Sequence, residues 1–188
     1  MMVDHYSLKD QFLIAMPSMD QSVFAQSVTY ICEHDDEGAM GLIINRPSGI
    51  ALGEVLQQLN IQPNNQDLQQ QMIYSGGPVQ TDRGFILHAG GRKWDATLPL
   101  GSNMNLTTSK DILTSIAHED GPEDCLVALG YAGWGAGQLE HEMANNLWIN
   151  APGDSDIIFR VACEDRLEAA SSSLGIDLSR ISSDAGHA

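Results

Sequence analysis

Short apolar runs broken by Gly, Pro or Asp dominate the first half of the chain. Phe12 to Met16 is one such run, ended by Pro17, and predicts a buried strand. Asp20 caps a short helical turn through Phe24. Val28, Tyr30 and Cys32 then alternate with Thr29, Ile31 and Glu33, which predicts a second strand. Asp35 to Gly38 reads as a turn and Met40 to Ile44 as the next strand, so the pair predicts an antiparallel hairpin. Pro47 and Gly49 break the chain. Leu52, Val55, Leu56 and Leu59 fall at helical spacing and form one apolar face. Asn60 to Gln71, rich in Asn and Gln, is expected as an exposed loop.

In the second half, Met72 to Tyr74 predicts a strand that ends at Ser75-Gly76-Gly77-Pro78. Thr81 to Gly84 reads as a turn and Phe85 to His88 as a strand. Ala89 to Leu100 is irregular, and Asn103 to Thr107 is expected as an edge strand. Thr108 and Asp111 suggest a capping box ahead of a helix carrying Ile112, Leu113, Ile116 and Ala117, stopped by Gly121-Pro122. Cys125 to Tyr131 is an apolar run fit for a strand buried on both faces. Gly133 to Gly137 turns into a helix near Gln138 to Asn145. Leu147 to Asn150 predicts a strand, Ile157 to Val161 a strand or helix, and Arg166 to Leu174 a helix with Gly175 just past its end. There is no internal repeat and no linker. The expectation is one domain over residues 1–188, with 176–188 a frayed polar tail, and an α+β fold with a mixed sheet rather than strict βαβ alternation.

Charge narrows the functional classes most. Nine Lys and Arg face 25 Asp and Glu, a net charge of -16. Nucleic-acid binding typically uses roughly 6–10 phosphate contacts from basic groups, which would require nearly every cation on one face. The long-range field would also oppose the encounter. Direct nucleic-acid binding is therefore not expected, nor is binding to anionic membranes. Cys32, Cys125 and Cys163 are isolated and odd in number, which suits a reducing compartment. Met1 to Gln11 lacks a signal-peptide pattern, and no apolar run approaches about 18 residues. The expected location is the cytoplasm.

Several stretches resemble one bacterial family. They are Phe12 to Pro17; Tyr30 to His34 with Gly38 to Pro47; Tyr74 to Val79 with Arg83-Gly84-Phe85 and Leu87-His88; Leu129 to Trp134 with Ala136 to Glu140; and Gly186-His187-Ala188. In this order, and over essentially the whole chain, they resemble the YqgE/AlgH family, whose members are mostly uncharacterised. Asp10 departs from a frequent Gly, and Leu167 from a Trp that commonly follows Arg. The resemblance implies a mixed, largely antiparallel sheet with a barrel-like part, flanked by helices, in a bacterial cytosolic protein. One branch is named for an effect on transcription of alginate-synthesis genes. No reaction is implied, so no catalytic residue carries over, and no cofactor is expected.

The candidate chemistry reads two ways at each position. Ser75-Gly76-Gly77 follows a strand and is suited either to an anion-binding nest or to a tight turn where strands cross. It lacks the spacing of known nucleotide loops. Arg46 and Arg83, rare cations beside Gly/Pro turns, suit a phosphate or carboxylate clamp, or pairing with local acids. Asn45 is a turn residue. His88 suits an acid–base group or a structural histidine. Trp134 suits a pocket wall or a core position. Cys32, Glu33 and His34 make weak zinc evidence without a second spaced pair, and no metal is expected. Ser18, Ser75 and Ser102 have no evident His/Asp partners, and no triad assembles.

Two functions follow. One is a non-enzymatic regulatory or adaptor protein acting through protein partners. The other is an anionic-ligand binding protein or enzyme with a site at Asn45, Arg46, Ser75, Gly76, Gly77, Arg83, His88 and Trp134. In the second, Arg46 and Arg83 face a common site.

Overall fold

The structure, a computed structural model, describes residues 6–178 and residue 180. Residues 179 and 181–188 of the expected tail, and with them the Gly186-His187-Ala188 block, lie outside the described residues. So do residues 1–5. In chain order the strands are β1 (Gln11–Ala15), β2 (Val28–Asp35), β3 (Gly38–Ile43), β4 (Pro47–Ala51), β5 (Met72–Ser75), β6 (Val79–Ala89), β7 (Thr97–Gly101), β8 (Met104–Thr107), β9 (Cys125–Gly135) and β10 (Trp148–Pro152). The helices are α1 (Leu52–Gln58), α2 (Asp111–Ala117), α3 (Gln138–Ala144), α4 (Ser155–Phe159) and α5 (Arg166–Ser172). This is the α+β class with a mixed, largely antiparallel sheet. Among the described strands one pairing is parallel, β5 with β9.

The chain forms two compact units. The first comprises residues up to Asn45 with those from Ala132 onward, and the second comprises Arg46–Tyr131. In the first unit the order is β10-β1-β2-β3 and then the end of β9, all antiparallel. The alternation in Val28 to Glu33 holds as a strand. Thr29, however, is buried along with Val28, Tyr30, Ile31 and Cys32, because this strand is covered on both faces. Leu13, Ile31, Trp134, Leu139 and Trp148 form its core.

In the second unit β9, β6, β8 and β7 follow in antiparallel order, with β4 against β5. Leu52 and Leu56 of α1 pack with Ile73, Ile86, Ile112 and Val127, the apolar face that the helical spacing predicts. Each fully buried aliphatic side chain of this kind stabilises by about 1.5–3 kcal/mol.

Several elements differ from expectation, each for a local reason. β4 spans the expected break, with Pro47 as its first residue and Gly49 at φ +81° beside a register irregularity. Thr81 to Gly84 is not a turn. β6 runs through it as one long strand, with Gln80 in the left-handed region and the register slipped between Val79 and Gly84. β7 lies in the segment expected to be irregular, and it takes the outer position that Asn103 to Thr107 was expected to hold. Its Pro99 is tolerated because, among the described strands, β7 is the outermost and pairs with β8. β9 continues four residues beyond Tyr131, through the expected Gly133 turn. At α2 the N-cap is Lys110 rather than Thr108. Asp111 does the capping work itself. Its Oδ1 accepts from Ile112 N–H at 3.0 Å and Ser109 O–H at 2.5 Å, and its Oδ2 accepts from Asp95 N–H at 2.8 Å.

Where β5 ends, the backbone must pass close to β9. Gly130 sits at φ +77°, and a Cβ there would lie 2.4 Å from the Gly77 carbonyl oxygen. The left-handed conformation alone costs a non-glycine residue about 1–3 kcal/mol. Gly130→Ala is therefore expected to lose at least about 2 kcal/mol in urea denaturation. A loss below about 0.5 kcal/mol would show that the crossing relaxes freely.

Candidate functional site

The eight sequence-selected residues divide between the units. Asn45 and Trp134 belong to the first, and Arg46, Ser75, Gly76, Gly77, Arg83 and His88 to the second. Each has a definite set of contacts.

In the second unit the main chain brings Arg46 and Ser75 together, since Ser75 N–H donates to the Arg46 carbonyl at 2.8 Å. Gly76 N–H donates to Leu129 O at 2.8 Å, so this amide serves the β9 crossing rather than a nest. Gly77 supplies the carbonyl that Gly130 accommodates. Arg83 is exposed. Its Nη1 donates to Gln80 Oε1 at 3.2 Å and its guanidinium lies 5.4 Å from the centre of the Phe85 ring.

His88 is fully buried near the end of β6, where it pairs with Asn105 of β8 and Cys125 of β9. Its Nε2 lies 2.7 Å from Thr107 Oγ1, which lies 2.7 Å from Thr97 Oγ1, which in turn accepts from Trp94 N–H at 2.7 Å. The Trp94 ring meets it edge-on at 5.1 Å, and the Arg92 guanidinium lies 4.7 Å from the centre of the Trp94 ring. Nδ1 makes no hydrogen bond of good geometry. Burial pushes the His88 pKa below the usual 6.5, and the Ala89 backbone offsets part of this. This is a histidine held neutral in a core.

In the first unit Asn45 is a clamp. Its Oδ1 accepts from Val28 N–H and its Nδ2 donates to Gln26 O, both at 2.9 Å. Trp134 lies in the aromatic core with Phe24 and Trp148. Its indole N–H and that of Trp148 both point at Glu142 Oε1, at 3.4 and 3.2 Å, and Gln138 donates to Oε2 at 3.1 Å. A carboxylate thereby satisfies two indoles that would otherwise be buried without partners.

The weak metal reading at Cys32 and His34 has a structural outcome. Cys32 is buried, and burial pushes its thiol far above its ordinary value. His34 uses both ring nitrogens. Nδ1 accepts from Leu8 N–H at 2.8 Å, so the ring proton sits on Nε2 and points to Glu140 Oε1 at 2.5 Å.

Two further polar anchors were not selected from the sequence. Asp10 adopts φ +63°, the left-handed conformation that glycine favours at this point, and its Oδ1 accepts from Tyr30 O–H at 2.5 Å. Burial, then the Asp10 bond and charge, push the Tyr30 phenol above its ordinary range. Arg166 is 6% exposed, with Nη1 on the Ile44 carbonyl at 2.5 Å and Nε on Val161 O at 3.1 Å. The scarcity of cations that drew attention to Arg46 and Arg83 applied equally to Arg166. Its place in a helix with an ordinary polar pattern concealed it.

The α+β sheet and these contacts define a class of small protein whose polar side chains chiefly brace its strands. The sequence model of the AlgH-like family, DUF179, matches residues 12–179, and the chain belongs to that family. A UPF0301 protein of Thioalkalivibrio sulfidiphilus is 51% identical over 179 residues, covering 95% of this chain and 96% of the relative. A UPF0301 protein of Xanthomonas euvesicatoria is 48% identical over 181 residues, with 96% of each covered. The solution structure of the AlgH protein from Pseudomonas aeruginosa superposes with a TM-score of 0.82 at 50% identity, covering all of both chains. A crystal structure of protein DIP2367 from Corynebacterium diphtheriae, 21% identical, shares the fold at a TM-score of 0.73 over 94% of this chain and 92% of that one.

Two measurements test the site chemistry. A histidine whose folded pKa lies below its unfolded value is protonated more readily when unfolded, so its contribution is intact above about pH 6.5 and is lost as the pH falls below it. Between about pH 7.5 and about pH 5.5, His88→Gln is expected to lose less stability than the parent chain. An equal loss in both would remove His88 from the account. Arg166→Met is expected to lower stability by about 2–4 kcal/mol, because one buried and one half-buried carbonyl lose a charged donor. Arg166→Lys is expected to restore little of it, since a single ammonium cannot reproduce the fork. Full recovery in Arg166→Lys would show that charge alone matters.

Proposed function

We propose that this protein is a non-enzymatic adaptor of the cytoplasm that acts through protein partners, with any influence on transcription indirect. One observation carries the reading: the side chains best suited to chemistry take internal partners. His34 is held at both nitrogens, His88 is buried against Thr107, Asn45 is held at both ends of its amide, and Trp134 is bonded to Glu142. The charge of -16 supports it further, since it favours cationic protein surfaces over nucleic acid. Among the described residues no helix is long and apolar enough to cross a membrane.

One observation favours a second reading, a small anionic ligand in the second unit. Arg46 and Ser75 are joined through their main chains, and Arg83 presents an exposed guanidinium on the same unit. A thermal-shift screen against nucleotides, phosphorylated metabolites, dicarboxylates and divalent metals separates the two. A ligand at a hundred times its Kd stabilises by about 2.7 kcal/mol. At about 2–4 °C per kcal/mol for a chain of this size, that raises Tm by roughly 5–11 °C. The adaptor reading expects a flat screen together with specific proteins captured from the cytosol. A rise that disappears in Arg46→Ala and Arg83→Ala overturns it in favour of an anion site.

A further inference from the structure

The end of α5 and the chain that follows it form a groove of about 550 Å³ in the first unit. Gly175, at φ +70°, turns the chain back. Leu174 N–H and Ile176 N–H both bond to the Ser171 carbonyl, at 3.1 and 3.3 Å. This return sets Ile176 and Leu178 beside Leu167 as half-buried walls. The floor includes Ser171, which is buried, and whose hydroxyl is turned onto the Leu167 and Glu168 carbonyls at 2.9 and 3.1 Å. The Ser171 hydroxyl is thus turned away from the groove, whose aliphatic surface comes from Leu167, Ile176 and Leu178, with exposed Ser172 beside them. Exposed Glu164, Glu168 and Asp177 stand around it. Arg180 pairs with Asp177 at 3.6 Å, and Arg166 is turned inward onto Ile44 and Val161.

We infer that this groove docks a short amphipathic segment of a partner protein, one that inserts aliphatic or aromatic anchors and flanks them with Lys or Arg. The inference rests on the adaptor reading and names its contact surface. Charge complementarity selects the occupant. The aliphatic side chains of Leu167, Ile176 and Leu178 receive the anchors, and the Glu164 and Glu168 carboxylates at the rim, with Asp177 already engaged by Arg180, favour cations and repel anions. A second copy of this chain would face the same rim across a two-fold contact, acid against acid. Residues 181–188 of the chain itself contain no Lys or Arg. Anionic lipid carries the wrong sign. The net charge of -16 adds long-range attraction for a basic segment and makes association salt-dependent.

The test titrates the full chain with a synthetic helix of Leu and Lys at heptad spacing, with a Leu/Glu helix as control, and follows backbone amide signals by NMR. The expected result is that the basic helix moves signals over residues 164–178 and the acidic helix moves none. Glu164→Gln combined with Glu168→Gln, which removes the charge without placing cations at the helix starts, is expected to weaken binding about tenfold, and Leu167→Ser to weaken it at low and high salt alike. Shifts scattered over the acidic surface and indifferent to these variants would overturn the proposal, as would absence of binding. A dimer in sedimentation that Leu167→Ser dissolves would name a second copy as occupant. Binding only after residues 181–188 are removed would name the chain's own tail. Capture from the cytosol separates this surface from the broader reading. If the parent and the Glu164→Gln, Glu168→Gln chain capture the same proteins, the groove is wrong and the adaptor stands. If neither captures any and an anion stabilises the chain, the adaptor reading itself falls.

Discussion

The second unit is organised by one close approach of backbone to backbone. The strand that begins at Cys125 takes a parallel neighbour at Ala128 and Leu129 and an antiparallel one from Tyr131 back to Cys125. The chain passes from the first neighbour to the second across Ser75 to Val79, with Gly76 N–H tied to Leu129 O and the Gly77 carbonyl pressed against Gly130. No side chain fits there. The same contact explains the slipped register between Val79 and Gly84, because the returning strand must clear the crossing before it pairs regularly at Phe85 and Ile86. It also accounts for the Ser75-Gly76-Gly77-Pro78 sequence without a ligand.

The first unit solves a different problem, that of polar atoms inside an apolar core. Two indole N–H groups meet one carboxylate at Glu142, the Tyr30 hydroxyl meets Asp10, and the Arg166 guanidinium meets two main-chain carbonyls. A buried charge is expensive unless its hydrogen bonds are made, so these contacts restrict how the helices can sit on the sheet more than they add net stability. His34 fits the same pattern. Its ring joins the Leu8 main chain to α3 by using one nitrogen as acceptor and the other as donor, a geometry available only to the neutral ring.

Much of this was legible in the sequence, and the failures share a cause. Period-two alternation located β2, and the i, i+3, i+4 spacing located α1 with its buried Leu52 and Leu56. Gly and Pro were read as breaks, yet at Pro47, Gly49, Gly84 and Gly133 they lie within strands. Local propensity cannot separate a turn from a bulged or outer strand, because both use the same residues and only the pairing partner decides. The site residues show the same limit. Scarcity of cations marked Arg46 and Arg83, but whether a guanidinium faces water or the Ile44 carbonyl depends on tertiary packing that no spacing encodes. Asp10 was visible as a departure from glycine. That it keeps the glycine-like φ appears only in the fold.

Charge connects the fold to its use. A chain of 188 residues with only nine Lys and Arg places at least one of them, Arg166, inside, which deepens the negative field outside. Surface acids so numerous repel one another and weaken the folded state rather than support it. Solubility alone needs a net charge of magnitude about 2–8 for a small domain, well short of this excess. On the adaptor reading proposed above, such an acidic surface discriminates among partners before contact. A net charge of this sign would slow encounter with nucleic acid and anionic membranes and, on that same reading, speed encounter with basic segments. Histidine, asparagine and tryptophan side chains meanwhile brace the strands: His34 joins Leu8 to Glu140, Asn45 joins Val28 to Gln26, and Trp134 meets Glu142.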